Sequence, residues 1–195
     1  LVVFGFLLYL PHSKHLHILL AFPNTYFALQ RPRGEMENMP EIMNEVKSMM
    51  GLAAEENQDT GEELPEFGAH DVFELSRINL LNAYSCTECG RCTAVCPANL
   101  TGKKLSPRKI LMDIRDRADE VAKTIAKSGG EITLENYDDG KSLFDYISKE
   151  EIHACTTCNA CVEACPVLID PLDPILKLRR YEILSQSEGP ADWLP

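Results

Sequence analysis

The residues that can do chemistry in this chain are eight cysteines, in two copies of one pattern. The first copy is Cys86-Thr87-Glu88-Cys89-Gly90-Arg91-Cys92-Thr93-Ala94-Val95-Cys96-Pro97. The second is Cys155-Thr156-Thr157-Cys158-Asn159-Ala160-Cys161-Val162-Glu163-Ala164-Cys165-Pro166. Both read C-x2-C-x2-C-x3-C-P, the bacterial-type spacing for thiolates on an iron–sulfur cage. A cubane needs sulfurs that approach its corners from different sides. A tight turn with Cys at i, i+3 and i+6 supplies three of them, and the fourth Cys sits where the chain turns away before proline. Two other uses of cysteine compete. A disulfide framework belongs to an oxidising compartment and usually a small domain, and it does not require two copies of one spacing. Structural zinc uses separated pairs of Cys or His rather than four Cys so close together. The pattern therefore predicts two [4Fe–4S] clusters, with Cys86, Cys89, Cys92, Cys96, Cys155, Cys158, Cys161 and Cys165 all as metal ligands.

The elements that must position these turns are helices. Asp71-Val72-Phe73-Glu74 has the form of a capping box. It predicts a helix to about Tyr84, with Val72, Leu75, Ile78 and Leu81 on one face, running straight into Cys86. Ser148-Lys149-Glu150-Glu151 is a second capping box and opens the turn before Cys155. Between the motifs, Ser106-Pro107 reads as an N-cap with proline at the first helical position. Ile110, Leu111, Ile114, Ala118, Val121 and Ile125 then recur with helical period until Gly129-Gly130. Glu131 to Gly140 reads as an acidic loop or brief hairpin. Asp173-Pro174 begins a last helix, which Gly189-Pro190 ends. No convincing strand is present, so the expected class is all-α, with helix entry, cysteine turn and proline occurring twice.

The expected domains are residues 71–188 for the cysteine-bearing part and 189–195 for a loose tail. Residues 34–70 form a linker rich in Gly, Pro and Glu, with a short helix from Pro40 to Met50 that gathers Ile42, Val46 and Met49 on one face. Residues 1–33 form the end of a membrane or interfacial segment. That first stretch contains no Asp or Glu, although the chain of 195 residues carries a net charge of −11. The acidic balance argues against nucleic acid as a partner. The opening run Leu1 to Leu10 is apolar but too short to span a bilayer, which takes about 20 residues. No basic region precedes it and no small-residue cleavage site follows, so a signal peptide fits poorly. It is expected to be the end of a partial membrane helix, closed by Pro11 and His12. Lys14, Arg31 and Arg33 after it place that end on the cytoplasmic side. Thiols kept for iron imply a reducing compartment, which agrees. His12, His15 and His17 are candidate haem ligands, with His15 or His17 the better placed because apolar residues flank them.

Fifty-eight residues lie between Cys96 and Cys155. Two C-P motifs so far apart, joined by a long helical segment, resemble the α-helical ferredoxin fold. That fold occurs in the iron–sulfur subunit of succinate dehydrogenase and fumarate reductase, and in the C and D polypeptides of heterodisulfide reductase. The chain lacks the plant-type [2Fe–2S] domain of the first group, so it is more similar to the heterodisulfide-reductase-like branch. As in two-cluster ferredoxins, the resemblance implies that each fourth cysteine serves the other cluster. Cluster 1 would use Cys86, Cys89, Cys92 and Cys165. Cluster 2 would use Cys155, Cys158, Cys161 and Cys96. The N-terminal piece resembles the end of a nitrate reductase gamma-type membrane cytochrome b module, which implies haem b in a membrane part.

The expected function is that of an electron-transfer component rather than the substrate-converting subunit. It would relay single electrons through two [4Fe–4S] clusters between a membrane quinone or haem b and a soluble redox partner, such as a CCG-domain or flavin-containing subunit. The expected location is the cytoplasmic face of the inner membrane. The alternative is a soluble ferredoxin-like adaptor that docks on a catalytic oxidoreductase subunit. Both cysteine sets are complete, so no catalytic residue is expected. Thr87, Thr93, Thr156 and Thr157 are candidate donors to sulfur, although capping or solvation is the more ordinary role for such hydroxyls.

Overall fold

The computed structural model describes residues 1–10, 13, 15–28, 38–52, 67–129, 133 and 136–190. Among the described residues the elements are helices and turns, with no strand. The chain divides into two compact units, Leu1–Gln30 with Glu66–Pro195, and Arg31–Pro65. His12, Lys14, Arg31, Arg33 and Gly130 lie outside the described residues, as does part of the 131–140 loop.

The larger unit begins with α1 (Val2–Tyr9) and α2 (Leu16–Phe27). Helix α1 is apolar throughout, and Val2, Phe4 and Leu8 are largely exposed. Among the described residues no helix is long and apolar enough to cross a membrane. The expected partial membrane helix is present as one short helix, ending at Tyr9, and nothing in it supports a span. Helix α2 continues through Pro23 and packs along a later helix of the same unit. In the smaller unit, α3 (Pro40–Met49) forms where the Pro40 start signal puts it, and Gly51 at φ +70° follows its end. The face expected from Ile42, Val46 and Met49 is not a buried one: Val46 and Met49 are exposed.

The helix before the first motif differs from the expected one. It is α4 (Arg77–Ser85), and its cap is Ser76. The Ser76 hydroxyl accepts from Asn79 N–H while the Asn79 side chain accepts from Ser76 N–H. Glu74 does reach back, accepting from the backbone N–H of His70 and Asp71, but the chain there makes a turn and not a helix. Asp71 is taken by another partner described below. The inward face of α4 is Asn79, Asn82 and Ala83, so the apolar period proposed for Ile78 and Leu81 does not mark the buried side. Asn79 donates to Asp173 at 2.8 Å and accepts from Lys177 at 3.2 Å, which satisfies a polar face in the interior.

Helices α5 (Arg91–Ala94) and α6 (Pro97–Leu100) follow the first cysteine turn. Then comes α7 (Pro107–Lys127), capped by Ser106 and buried along Ile110, Leu111, Ile114 and Val121. Gly129 at φ +65° follows its last turn. A short 3-10 turn (Leu143–Asp145) leads to α8 (Lys149–Ala154), whose Ser148–Glu151 capping box forms as the sequence pattern requires. The second cysteine turn leads to α9 (Ala160–Glu163). The last helix, α10 (Leu172–Arg180), starts one residue before the expected Asp173, because Asp170 accepts from the N–H groups of Leu172 and Asp173. A π turn, Tyr181–Ser185, extends it. Ile110 and Ile114 of α7, Leu143, Ile147, Ile152, Ile175 and Leu178 form one core that holds α4, α7, α8 and α10 together.

One charge lies at the centre of this packing. Arg117 of α7 is fully buried. Its guanidinium donates in bidentate fashion to Asp71, at 2.6 and 3.0 Å, and to Asp139, at 2.7 and 2.9 Å. It also donates to the Lys141 carbonyl at 3.1 Å. A buried charge is tolerable only with such pairing. Removing one partner leaves the others desolvated and unpaired, which costs about 3–5 kcal/mol. Arg117→Leu is therefore expected to lower the urea midpoint sharply. The Arg117 side chain beside Asp139 holds that carboxyl well below the usual carboxylate range. A depressed folded value gives stability that is present above the unfolded carboxylate range, about pH 4, and is lost as pH falls through the folded value. The stability advantage of the wild-type chain over Asp139→Asn should thus shrink below about pH 4, measured by circular dichroism in denaturant at several pH values.

Gly68 marks a second constraint. A Cβ there would sit 2.3 Å from the Lys177 carbonyl oxygen and 2.4 Å from the Tyr181 nitrogen, and its φ is +97°. The segment before α4 runs against the α10 backbone, with Ala69 N–H donating to Lys177 O. Gly68→Ala is expected to destabilise the unit by about 2–4 kcal/mol, read as a lower denaturation midpoint.

Candidate functional site

Each cysteine turn is built the same way. A capped helix, α4 or α8, ends on the first cysteine, and Cys86 and Cys155 share one extended conformation, φ −69° with ψ 122° and 126°. The backbone then enters the left-handed region twice. Glu88 and Thr157, each two residues after that cysteine, have φ +58° and +54°. Gly90 and Asn159, each four residues after it, have φ +80° and +60°. Left-handed backbone costs an L side chain roughly 1–2 kcal/mol, least for Gly and Asn. Gly and Asn at the second position fit that demand. Glu88 and Thr157 at the first do not, and β-branched Thr157 is a marked departure.

The strained turn aims main-chain N–H groups at sulfur. Thr157 N–H donates to Cys155 Sγ at 3.5 Å. The neighbouring main-chain N–H groups of Glu88, Arg91, Thr93 and Val162 each act to lower the pKa of the nearby Cys86, Cys89, Cys92 and Cys161 thiols. The Thr87 and Thr93 hydroxyls also act to lower the Cys89 and Cys92 pKa values. Thr93 Oγ1 also lies 2.9 Å from Ser106 Oγ, which ties the first turn to the cap of α7. Thr157 instead donates to the Thr156 carbonyl. The hydroxyls of Thr93 and Thr157 thus have oxygen partners, the more ordinary role for such groups.

The structure brings the fourth cysteine of one motif to the first three of the other. Cys86, Cys89, Cys92 and Cys165 line one cavity, closed by Leu111, Ile169 and the prolines 166 and 171. Cys86 and Cys92 both feel the charge of Cys165. Across the fold, Cys155 feels Cys96 and Cys158, and Cys161 feels Cys155. Helices α5 and α9, which carry Cys92 and Cys161, pack on each other. Cys96 and Cys161 are buried, whereas Cys89 and Cys158 are exposed.

Burial pushes the Cys86, Cys92 and Cys155 thiols up, and Cys161 up to about 12. The Arg91 N–H, ahead of other donors, holds exposed Cys89 below the ordinary thiol value. Buried thiols of this kind become thiolates when a metal displaces the proton. Backbone N–H groups pointed at sulfur then stabilise the charge. Among the described residues no three His, Cys, Asp or Glu side chains are grouped to hold a single metal ion. A tetrahedral zinc needs ligands at about 2.0–2.3 Å, whereas the thiols of the first set line a cavity. The donor set fits a four-thiolate cage and fits a lone ion poorly.

Arg91 of the first motif lines the first cavity; other neighbours were not apparent from the motifs, among them Arg108 of α7, which lines the same cavity. Arg179 of α10 donates to the carbonyls of Ile152 and Cys155, placing a cation beside the second set. The Glu88 carboxylate pairs with Arg115 at 3.0 Å, which anchors the strained first turn to α7. His15 and His17 stand together, their rings 6.5 Å apart, and His17 borders a cavity that also reaches Cys86 and Tyr84. Nothing in that geometry supports haem.

Residues 85–169 match the family model of the 4Fe-4S dicluster domain, so the chain carries a 4Fe–4S dicluster ferredoxin domain. The "Probable iron-sulfur-binding oxidoreductase FadF" of Bacillus subtilis is 31% identical across 98% of this chain and 28% of its own length. The "EtfAB:quinone oxidoreductase" of Syntrophomonas wolfei is 31% identical across 67% of this chain and 20% of its length. The C polypeptide of a ferredoxin- and F(420)H(2)-dependent CoB-CoM heterodisulfide reductase from Methanosarcina acetivorans is 31% identical across 59% of this chain and 55% of its length. The chain thus spans between a fifth and just over half the length of these relatives. No solved structure matches. The left-handed turn positions yield a direct test. Asn159→Gly should keep full iron loading, while Asn159→Val should lose about half of the bound iron, measured by iron and labile-sulfide analysis under anaerobic conditions.

Proposed function

We propose that this chain relays single electrons through two [4Fe–4S] clusters between a membrane quinone or haem b module and a soluble redox partner. Cys86, Cys89 and Cys92 with Cys165 hold one cluster; Cys155, Cys158 and Cys161 with Cys96 hold the other. The observation that carries this reading is the meeting of Cys165 with the three cysteines of the first motif around one cavity. A bound cubane takes up and releases one electron at a time. The chain's own residues hold the thiolates, donate N–H groups to them and place Arg91, Arg108 and Arg179 nearby. Cation proximity, sulfur hydrogen bonding and burial are the terms that set such potentials. Contact between α5 and α9, which carry Cys92 and Cys161, supports fast exchange between the two clusters.

The partner classes rest on chemistry and on likeness. Relatives whose names include an EtfAB:quinone oxidoreductase and a heterodisulfide reductase support membership of a redox complex; the soluble partner in this reading is a flavin-containing or CCG-domain subunit. Exposed apolar side chains on α1 and α2, among them Phe4, Leu8, Phe22 and Tyr26, support attachment of this end to a membrane or to a membrane subunit. The segment is then the end of a nitrate reductase gamma-like cytochrome b module, on the cytoplasmic face of the inner membrane. Haem b would belong to that module, with His15 or His17 as the axial candidate from this chain. The second reading, a soluble ferredoxin-like adaptor, draws on the net charge of −11 and on the lack of a spanning helix among the described residues. Flotation of the chain with vesicles separates the two, and a pyridine haemochrome assay on the membrane fraction tests the haem.

Anaerobic analysis should find about eight iron and eight sulfide per chain, with two interacting cubane signals by EPR after reduction. Cys165→Ser and Cys86→Ser should disturb the same signal, and Cys96→Ser and Cys155→Ser the other. A zinc-only analysis, or pairing of Cys165 with Cys155, overturns the assignment.

A further inference from the structure

Helix α2 lies along α4, and one of its turns touches both chain segments that meet at the first cavity. Pro23 lies within α2 and has no N–H to donate to the Leu19 carbonyl one turn earlier. In that turn the Leu20 carbonyl accepts from the Ser85 hydroxyl at 3.2 Å. Ser85 immediately precedes Cys86. The residue after Pro23, Asn24, is buried, with only 1% of its surface exposed. Its Nδ2 donates to the Val167 carbonyl at 2.8 Å. Val167 is two residues past Cys165 and lines the cavity with it. A single turn of α2 therefore ties the segment holding Cys86 to the segment holding Cys165, although the two cysteines stand far apart in sequence. The first turn of α2 borders the same site, where Leu16 and His17 share a cavity with Cys86 and Thr87.

Asn24 is a costly choice for packing alone. Its Oδ1 is buried without a hydrogen-bond partner, and an unpaired buried amide oxygen is unfavourable. A leucine of similar size would avoid that penalty but would release the Val167 carbonyl. The cost is understandable if the bond to Val167 has a purpose other than stability.

We propose that Asn24 is a positioning residue for the first cluster and that it fixes the Cys165 segment against Cys86. The inference rests on the two-cluster reading above. Asn24 does not touch the thiols; it acts through the Val167 carbonyl and hence through the chain that carries Cys165. The second set is served from another direction, where Arg179 of α10 donates to the Cys155 carbonyl.

The test is an EPR-monitored redox titration of the iron-loaded full chain, in wild type, Asn24→Leu, Ser85→Ala and Arg179→Gln. Asn24→Leu and Ser85→Ala should shift the midpoint of the same cubane signal and leave the other in place. Arg179→Gln should shift the other one. Thermal melting of Asn24→Leu should be unchanged or raised, which a merely structural role for the amide would not give. The idea is overturned if Asn24→Leu moves neither signal, moves both equally, or moves the one that Arg179→Gln moves. Should Asn24→Leu not accumulate, Ser85→Ala decides by the same criteria, since it cuts the second tie without altering α2. Wild-type chain with no cubane signal at all would instead sink the two-cluster reading itself.

Discussion

The structure depends on one crossing of the chain: α5 packs against α9, so that the end of each cysteine motif falls beside the start of the other. The consequence is direct. Cys165, near the end of the sequence's second motif, shares a cavity with Cys86, Cys89 and Cys92. Neither motif stands alone as a folding unit, because each places its last thiol beside the first thiols of its partner. The long α7 and the core it organises exist between the motifs for this reason. A rigid helix holds the two turns at a fixed separation, with Ile110 and Ile114 facing the core and Thr93 tied to its cap through Ser106.

Two kinds of stress are carried within this frame. The first is local: left-handed backbone at Glu88 and Thr157, the latter pointing its N–H at the Cys155 sulfur. The second is electrostatic: Arg117 buried between Asp71 and Asp139. The Arg117 network links α7 to the segment before α4 and to the loop after α7, so it fixes the helix that fixes the turns. Burying so many charges is not an economical route to stability, since a well-packed apolar substitute is often as good. Such a network does restrict the ways in which α7 can sit, a role consistent with its position behind the cysteine turns.

Much of the site was legible because its chemistry is local in sequence. The cysteine spacing, the proline after each motif and the Ser148–Glu151 cap are read from a few adjacent residues, and the cap forms as read. The match of residues 85–169 to a dicluster domain covers the same stretch. Errors arose where a local signal had a distant competitor. Asp71 and Glu74 resemble a helix cap, but Arg117 takes the Asp71 carboxylate, so the helix begins later at Ser76. The inward face of α4 is polar, because Asp173 and Lys177 of α10 satisfy Asn79. No apolar period can report a face that is buried by hydrogen bonding.

The order of the amino acids was enough to specify the ligand-bearing turns, the all-helical class and the repeat, because these follow from short-range spacing and backbone preference. The crossed pairing of the cysteines was implied by the resemblance to two-cluster ferredoxins; it took the folded chain to show that α2 rests on α4 and that Arg108 and Arg179 stand beside the two sets. Those facts join residues separated by tens of positions. Packing of complementary surfaces sets them, and a one-dimensional pattern does not record which surfaces are complementary.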